Sequence, residues 1–266
     1  GGAPLHTEMS AMRIDLCVTP GQTDELALRD RTVVVIDVLR ASTTIVTALA
    51  GGAREIIPVA TVESAVKISG NLIGDVILLG GERNGKMIEG FNLGNSPAEY
   101  TAEKVRGKAI IFSSTNGSQA LVRARYARAL FVCAFVNVGA VAGALCEGNR
   151  DFTIVCAGNN GMFSMEDSVC AGMLIARVSA GTEAPPELTD GALAARTLYR
   201  AFGRGILKMI RGTDHGRHLQ EIGFGGDLHI CAGVDSLPVL PQLDGNVIRL
   251  KPTQQGNEPA AQSQAT

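Results

Sequence analysis

Short runs of β-branched and apolar residues recur at 13–18, 32–38, 55–60, 75–79, 108–112, 129–134 and 152–157. These runs do not alternate between apolar and polar residues, so both faces of each strand ask to be covered. Helical stretches follow several of them, at 41–52, 61–72, 96–105, 116–127, 136–146 and 165–181. This succession predicts an α/β fold, layered helix/sheet/helix, around a mostly parallel or mixed sheet. The same pattern accommodates two similar α/β lobes, 12–135 and 136–250.

Beyond residue 188 the spacing turns helical as far as 224, and a closing β signal at 238–250 holds Asp244-Gly245 as a hairpin turn. The termini, 1–11 and 251–266, lack core-forming residues and are expected to be disordered. With 45% hydrophobic residues in 266, a sizeable core is within reach. A net charge of -2 gives no basic field for nucleic acid or an anionic membrane. No apolar run approaches the ~20 residues that span a bilayer, and the first residues lack the order of a signal peptide. Six cysteines without a C-x-x-C pair, several inside apolar runs, read as core residues of a reduced compartment, so a cytoplasmic location is expected. The many Ala-rich apolar segments lead us to expect a homodimer.

In open α/β sheets, ligands bind beyond the carboxyl ends of strands, against helix N-termini. The run at 32–38 passes from Val33-Val34-Val35-Ile36 straight into Asp37, Arg40, Ser42, Thr43 and Thr44. A capped strand-to-helix turn explains this polarity. So does a charged ligand, with Asp37 on a divalent cation or water, and Arg40 and the helix start on an anion. Leu39 stands where an Asp-x-Asp phosphatase motif has its second carboxylate.

Four further stretches are polar at strand ends. Residues 80–97 form a long loop with Glu82, Arg83, Asn84, Asn95 and five glycines. Ser113-Ser114-Thr115-Asn116-Gly117-Ser118 ends a strand and opens a helix, without the spacing of a Walker A loop. Ser164 and Asp167 fit a capping box, while Glu166 and Asp167 also follow a Gly/Asn-rich loop where a metal could sit. His215 and His218, one helical turn apart but outside an H-E-x-x-H frame, read as surface histidines, and Asp227 has no visible partner. Together these stretches favour a small anionic, phosphorylated substrate with a divalent cation. The rival readings are a non-catalytic phosphate- or nucleotide-binding module and a protein-interaction domain.

The order of "VVVIDVLRASTTIVTAL", "GGERNG", "EGFNLGNSPAEY", "STNGSQAL", "FSMEDSVCAG" and "HGRHLQEIGFGGDLHICAGVD" resembles the 2-phosphosulfolactate phosphatase family, from about residue 12 to 250. The resemblance implies Mg²⁺-dependent hydrolysis of 2-phospho-3-sulfolactate to 3-sulfolactate and phosphate, a step of coenzyme M biosynthesis. Two features depart from its pattern: the hydroxyl turn has Ser113-Ser114-Thr115 where mostly Thr is expected, and Gln119 stands where Arg is expected. On this basis Asp37, Glu82 and Asp167 are the expected catalytic residues, and Asp37, Glu82 and Glu166 the expected Mg²⁺ ligands. Substrate contacts are expected from Arg40, Ser42, Thr43, Arg83, Asn84, Asn95, Thr115, Asn116, Gly117 and Ser118. Attack by water is favoured over attack by Asp37 itself.

Overall fold

The computed structural model describes residues 11–71 and 77–251. The remaining parts of the termini expected to be disordered, and the start of the strand expected at 75–79, lie outside the described residues. The strands are β1 (Arg13–Cys17), β2 (Thr32–Ile36), β3 (Glu55–Pro58), β4 (Ile77–Arg83), β5 (Lys86–Met87), β6 (Ala109–Ser113), β7 (Ala129–Cys133), β8 (Phe152–Cys156), β9 (Glu187–Leu188), β10 (Pro241–Asp244) and β11 (Val247–Leu250). They form one mixed sheet in the order β5-β4-β6-β3-β11-β10-β7-β2-β8-β1-β9, with helices packed against it, as the layered α/β reading expects. Strands from both sequence intervals share it: β2 lies between β7 and β8, and β1 between β8 and β9.

Two parallel blocks make up most of the sheet: β4, β6 and β3 on one side, and β7, β2, β8, β1 and β9 on the other. The β10–β11 hairpin joins them, antiparallel to β7 at one edge and to β3 at the other. Its turn holds Gly245 at a φ of 61°, where the sequence placed Asp244-Gly245. Three antiparallel steps in succession leave the two blocks running in opposite senses. In a flat sheet their carboxyl ends would point apart. Residues following β2, β4 and β6 nonetheless line one cavity, so the sheet coils, as the ~20–25° twist per strand allows.

Every residue of β2, β6 and β8 is buried, as unbroken apolar runs require. One core cluster joins Val33 and Val35 of β2 to Ile56 of β3, Phe112 of β6, and Ile45 and Leu49 of the helix Ala41–Ala50. That helix therefore packs against strands of both blocks and ties them together. At roughly 1.5–3 kcal/mol for each fully buried large apolar side chain, this packing fixes where the strand ends meet. A second cluster places the long helix Met165–Gly181 against the other face.

Some elements depart from expectation. The strand expected to end at 79 continues through Gly80-Gly81-Glu82 to Arg83, because glycine permits a backbone approach that a side chain would block. The helix expected at 96–105 is a 3₁₀ turn, Pro97–Glu99, followed by the short helix Ala102–Val105. All six cysteines are free. No helix among the described residues is long and apolar enough to cross a membrane.

Candidate active site

β2 delivers Asp37 at its carboxyl end, and the following turn is built from hydrogen bonds. The Asp37 N–H donates to Ser42 Oγ at 3.0 Å, and the Ala41 N–H donates to Asp37 Oδ1 at 3.2 Å. Thr43 Oγ1 donates to the Val38 carbonyl, and Thr44 Oγ1 to the Asn95 carbonyl. Ser42, Thr43 and Thr44 are buried and engaged with backbone, so they shape the turn and do not line the cavity. Gly117 packs directly on Asp37: a Cβ there would lie 2.6 Å from Asp37 Oδ2.

Glu82, at the end of β4, clamps two loops. It accepts the Thr115 N–H at 2.7 Å through Oε1 and the Gly85 N–H at 2.8 Å through Oε2. Asp167 has a matching role on the other side, accepting the N–H groups of Val38 at 2.8 Å and Gly158 at 3.0 Å. Its own N–H donates to Ser164 Oγ at 3.3 Å, which is the helix cap read from sequence. Glu166, one residue earlier, is buried with Oε1 3.6 Å from His215 Nδ1.

The result is a concentration of buried acids. Burial raises the Asp37 carboxyl to about 7; Glu82 and Glu166 push it the same way, against the pull of His215 and the Ala41 N–H. Asp167 is also pushed well above the ordinary range, first by burial and then by Asp37 and Glu166. The guanidinium that could have balanced them, Arg40, is itself paired with Asp227 at 2.8 Å.

Asp37, Glu82 and Arg40 border a cavity of about 370 Å³. Of the residues expected from sequence, Asp37, Arg40, Glu82, Asn84, Asn95, Thr115 and Asn116 line it. Ser42, Thr43, Arg83, Gly117, Ser118 and Asp167 stand behind the wall; Arg83 turns away to donate to Ser113 Oγ at 2.9 Å. Glu166 instead lines an adjoining groove of about 850 Å³, with Met162, Phe163, Phe202 and Met209. Asn159, Asn160 and His215 border both spaces. The larger space is mainly apolar, so the acid chemistry belongs to the smaller one.

The far wall was missed in the sequence. His215 and His218, read as surface residues, both line the cavity, His215 half-buried and His218 at the exposed rim. Their one-turn spacing was the available signal. Asn160 N–H donates to Asn116 Oδ1 at 3.0 Å, which ties the loop after β8 to the loop after β6.

Oxygen donors for a hard cation are present. Asn95 Oδ1 is buried with no hydrogen-bond partner, and Asp37 brings a carboxylate to the cavity. Among the described residues, however, no three His, Cys, Asp or Glu side chains are grouped to hold a metal together. The set Asp37, Glu82 and Glu166 thus does not form a ready three-carboxylate cluster. A cation that uses one or two carboxylates, keeps several waters and shares the substrate's oxygens fits this donor set, and Mg²⁺ behaves that way.

Fold and cavity define an α/β protein with an acid-rich, oxygen-lined pocket where strand ends converge. The chain belongs to the 2-phosphosulpholactate phosphatase family, whose sequence model matches residues 17–246. It is 41% identical to the probable 2-phosphosulfolactate phosphatase of Caldanaerobacter subterraneus over 84% of this chain and 91% of that protein. Similarly named proteins of Symbiobacterium thermophilum and Thermotoga maritima are 40% and 39% identical, over 84% and 83% of this chain and 96% and 92% of theirs.

Proposed function

We propose that this protein is a Mg²⁺-dependent phosphatase that hydrolyses 2-phospho-3-sulfolactate, or a similar phosphorylated 2-hydroxy acid, to the free hydroxy acid and phosphate. The observation that carries the reading is Asp37: a carboxylate raised first by burial and then by its acidic neighbours, facing a cavity that is also lined by Asn95, whose buried amide oxygen has no hydrogen-bond partner. A buried cluster of like charges favours a bound cation, which removes the repulsion that burial magnifies.

Asp37 and Asn95 would hold Mg²⁺ directly, with Glu82 and Glu166 acting through water. The ion, when bound, neutralises phosphate charge and lowers the pKa of a coordinated water. Phosphate-monoester hydrolysis needs charge neutralisation and in-line positioning more than covalent chemistry. Arg40, Thr115 and Asn84 orient the ester, and Asn116 sets the loop on which it rests. Water oxygen bonds to phosphorus while the ester P–O bond breaks; His215, which lines the cavity, would give the departing hydroxy-acid oxygen its proton and take back the one that the attacking water loses.

Phosphate release from 2-phosphosulfolactate and 2-phospholactate is the direct test. We expect release with Mg²⁺ and a fall of about 10²-fold or more on chelation, in line with the loss of a main electrostatic stabiliser. Undiminished release with chelator removes the metal from the reading. Saturable phosphate binding without hydrolysis marks a non-catalytic anion-binding module instead.

A second expectation concerns pH. The folded-state carboxyl of Asp37 lies at about 7, above its unfolded value of about 3.9. The proton therefore favours the fold, fully so below the unfolded value, and this contribution is lost as pH rises through about 7. The metal-free protein should melt at a lower temperature at pH 8 than at pH 6. Mg²⁺ competes with that proton, so its upward shift of Tm should be larger at pH 8. Equal Mg²⁺ shifts at the two pH values would separate the cation from Asp37.

A further inference from the structure

Arg40 borders the cavity yet is only 2% exposed, and its guanidinium is fixed from three directions. Nη1 donates to Asp227 Oδ2 at 2.8 Å, and Nη2 to the Gly85 carbonyl at 2.7 Å. The Phe224 ring lies against the guanidinium, its centre 4.4 Å from the central carbon. Asp227 is fixed in turn, because Ser96 Oγ donates to its Oδ1 at 2.7 Å. Ser96 follows Asn95, which lines the same cavity.

A guanidinium carries five N–H donors in one rigid plane. Here two are taken by Asp227 and Gly85, and the aromatic face limits tilting. The directions of the remaining donors are therefore set before any ligand arrives. Preorganisation of this kind strengthens binding by removing the freedom that a long side chain would otherwise lose.

We infer that Asp227 is a positioning residue for the substrate anion: with Ser96 behind it, it aims the free N–H donors of Arg40 at the bound ester's oxygens. The inference rests on the phosphatase reading for the identity of the anion; the Ser96–Asp227–Arg40 chain stands in the structure itself. Simple electrostatics predicts the reverse behaviour, since removing a carboxylate from beside an anion site should tighten anion binding. The sign of the effect thus separates the two.

The test uses full-length Asp227→Asn, Asp227→Glu, Ser96→Ala, Arg40→Met and the double variant Arg40→Met/Asp227→Asn. Steady-state kcat and KM are measured on 2-phosphosulfolactate, and binding of inorganic phosphate by calorimetry. For both Asp227 variants we expect KM and the phosphate Kd to rise about 10–100-fold, the range for losing an outer group that orients a binding residue. kcat should change much less. Asp227→Glu keeps the charge and still fails, because the longer side chain displaces the fork. Ser96→Ala moves both constants the same way by less, and it decides the matter if the Asp227 variants do not fold. The double variant should bind no worse than Arg40→Met alone, because Asp227 acts through Arg40.

Unchanged or tighter phosphate binding in a folded Asp227→Asn protein overturns the inference, as do losses that add in the double variant. If the wild-type protein releases no phosphate from either ester, the phosphatase reading fails, and the calorimetric comparison still decides what Asp227 does.

Discussion

Asp37→Asn should lower kcat/KM for phosphate release by about 10³-fold, the upper range for removing a preorganised electrostatic group, while raising the melting temperature of the metal-free protein at pH 8. Both effects come from one carboxylate. Asn is nearly isosteric, and its carbonyl oxygen can keep the Ala41 N–H bond that Asp37 Oδ1 now accepts. The change removes a charge that burial disfavours and that Glu82 and Glu166 repel. At about pH 3, below the unfolded value of about 3.9, Asp37 is neutral in both states and the two proteins should melt alike; the gap opens as pH rises towards the folded value of about 7. At pH 8 wild type holds a buried ionised acid and the variant does not. A site that is poorly stable without its ligand is a common cost of function. Steady-state assays with Mg²⁺ and melting curves at the two pH values read the two effects separately. Near-normal turnover would take Asp37 out of the chemistry, and equal melting at pH 8 would mean that the buried charge is not the source of instability.

The parts that were legible in the sequence are those fixed by local pattern. Val33 to Ile36 could only be a strand covered on both faces, and the structure buries all four. Ser164 before Met165-Glu166-Asp167 is a helix cap in both. What local pattern does not encode is strand order. The β10–β11 hairpin, last in the chain, enters the middle of the sheet and reverses the sense of one block. Only the resulting coil brings Glu82 and Asp37 to one cavity. Partners distant in sequence were hidden for the same reason. Asp227 lies 187 residues from Arg40, and nothing near either residue points to the other. Asp167 could be seen as an acid at a strand end, but not as the acceptor that joins Val38 to Gly158. The hydroxyls of Ser42 and Thr43 illustrate the converse limit: a motif displays its polar groups without showing that the backbone already engages them.

Gly81→Ala should be the most damaging small substitution near the site, at about 3 kcal/mol or more, beyond ordinary overpacking because the backbone itself is in the way. Gly80-Gly81 reads as the start of a long loop in the sequence, yet it continues β4 and places Glu82. Gly81 has a φ of 144°, a conformation that L side chains rarely adopt. A Cβ there would run into the Ser113 carbonyl oxygen of the neighbouring β6, a backbone atom that no rotamer change can move aside. The Gly81 N–H also donates to the carbonyls of Leu93 at 3.1 Å and Gly94 at 3.2 Å, so a shift of this residue loosens the loop that carries Asn95. For a chain of this size, 3 kcal/mol corresponds to a fall in Tm of roughly 6–12 °C. Any folded fraction should bind substrate poorly, because Glu82 would no longer hold the Thr115 and Gly85 N–H groups together. Thermal unfolding and KM on the same preparation check both halves. A variant that melts within a degree or two of wild type would show that β4 can move away from β6 at little cost, and that the close approach at Gly81 does not hold the site in place.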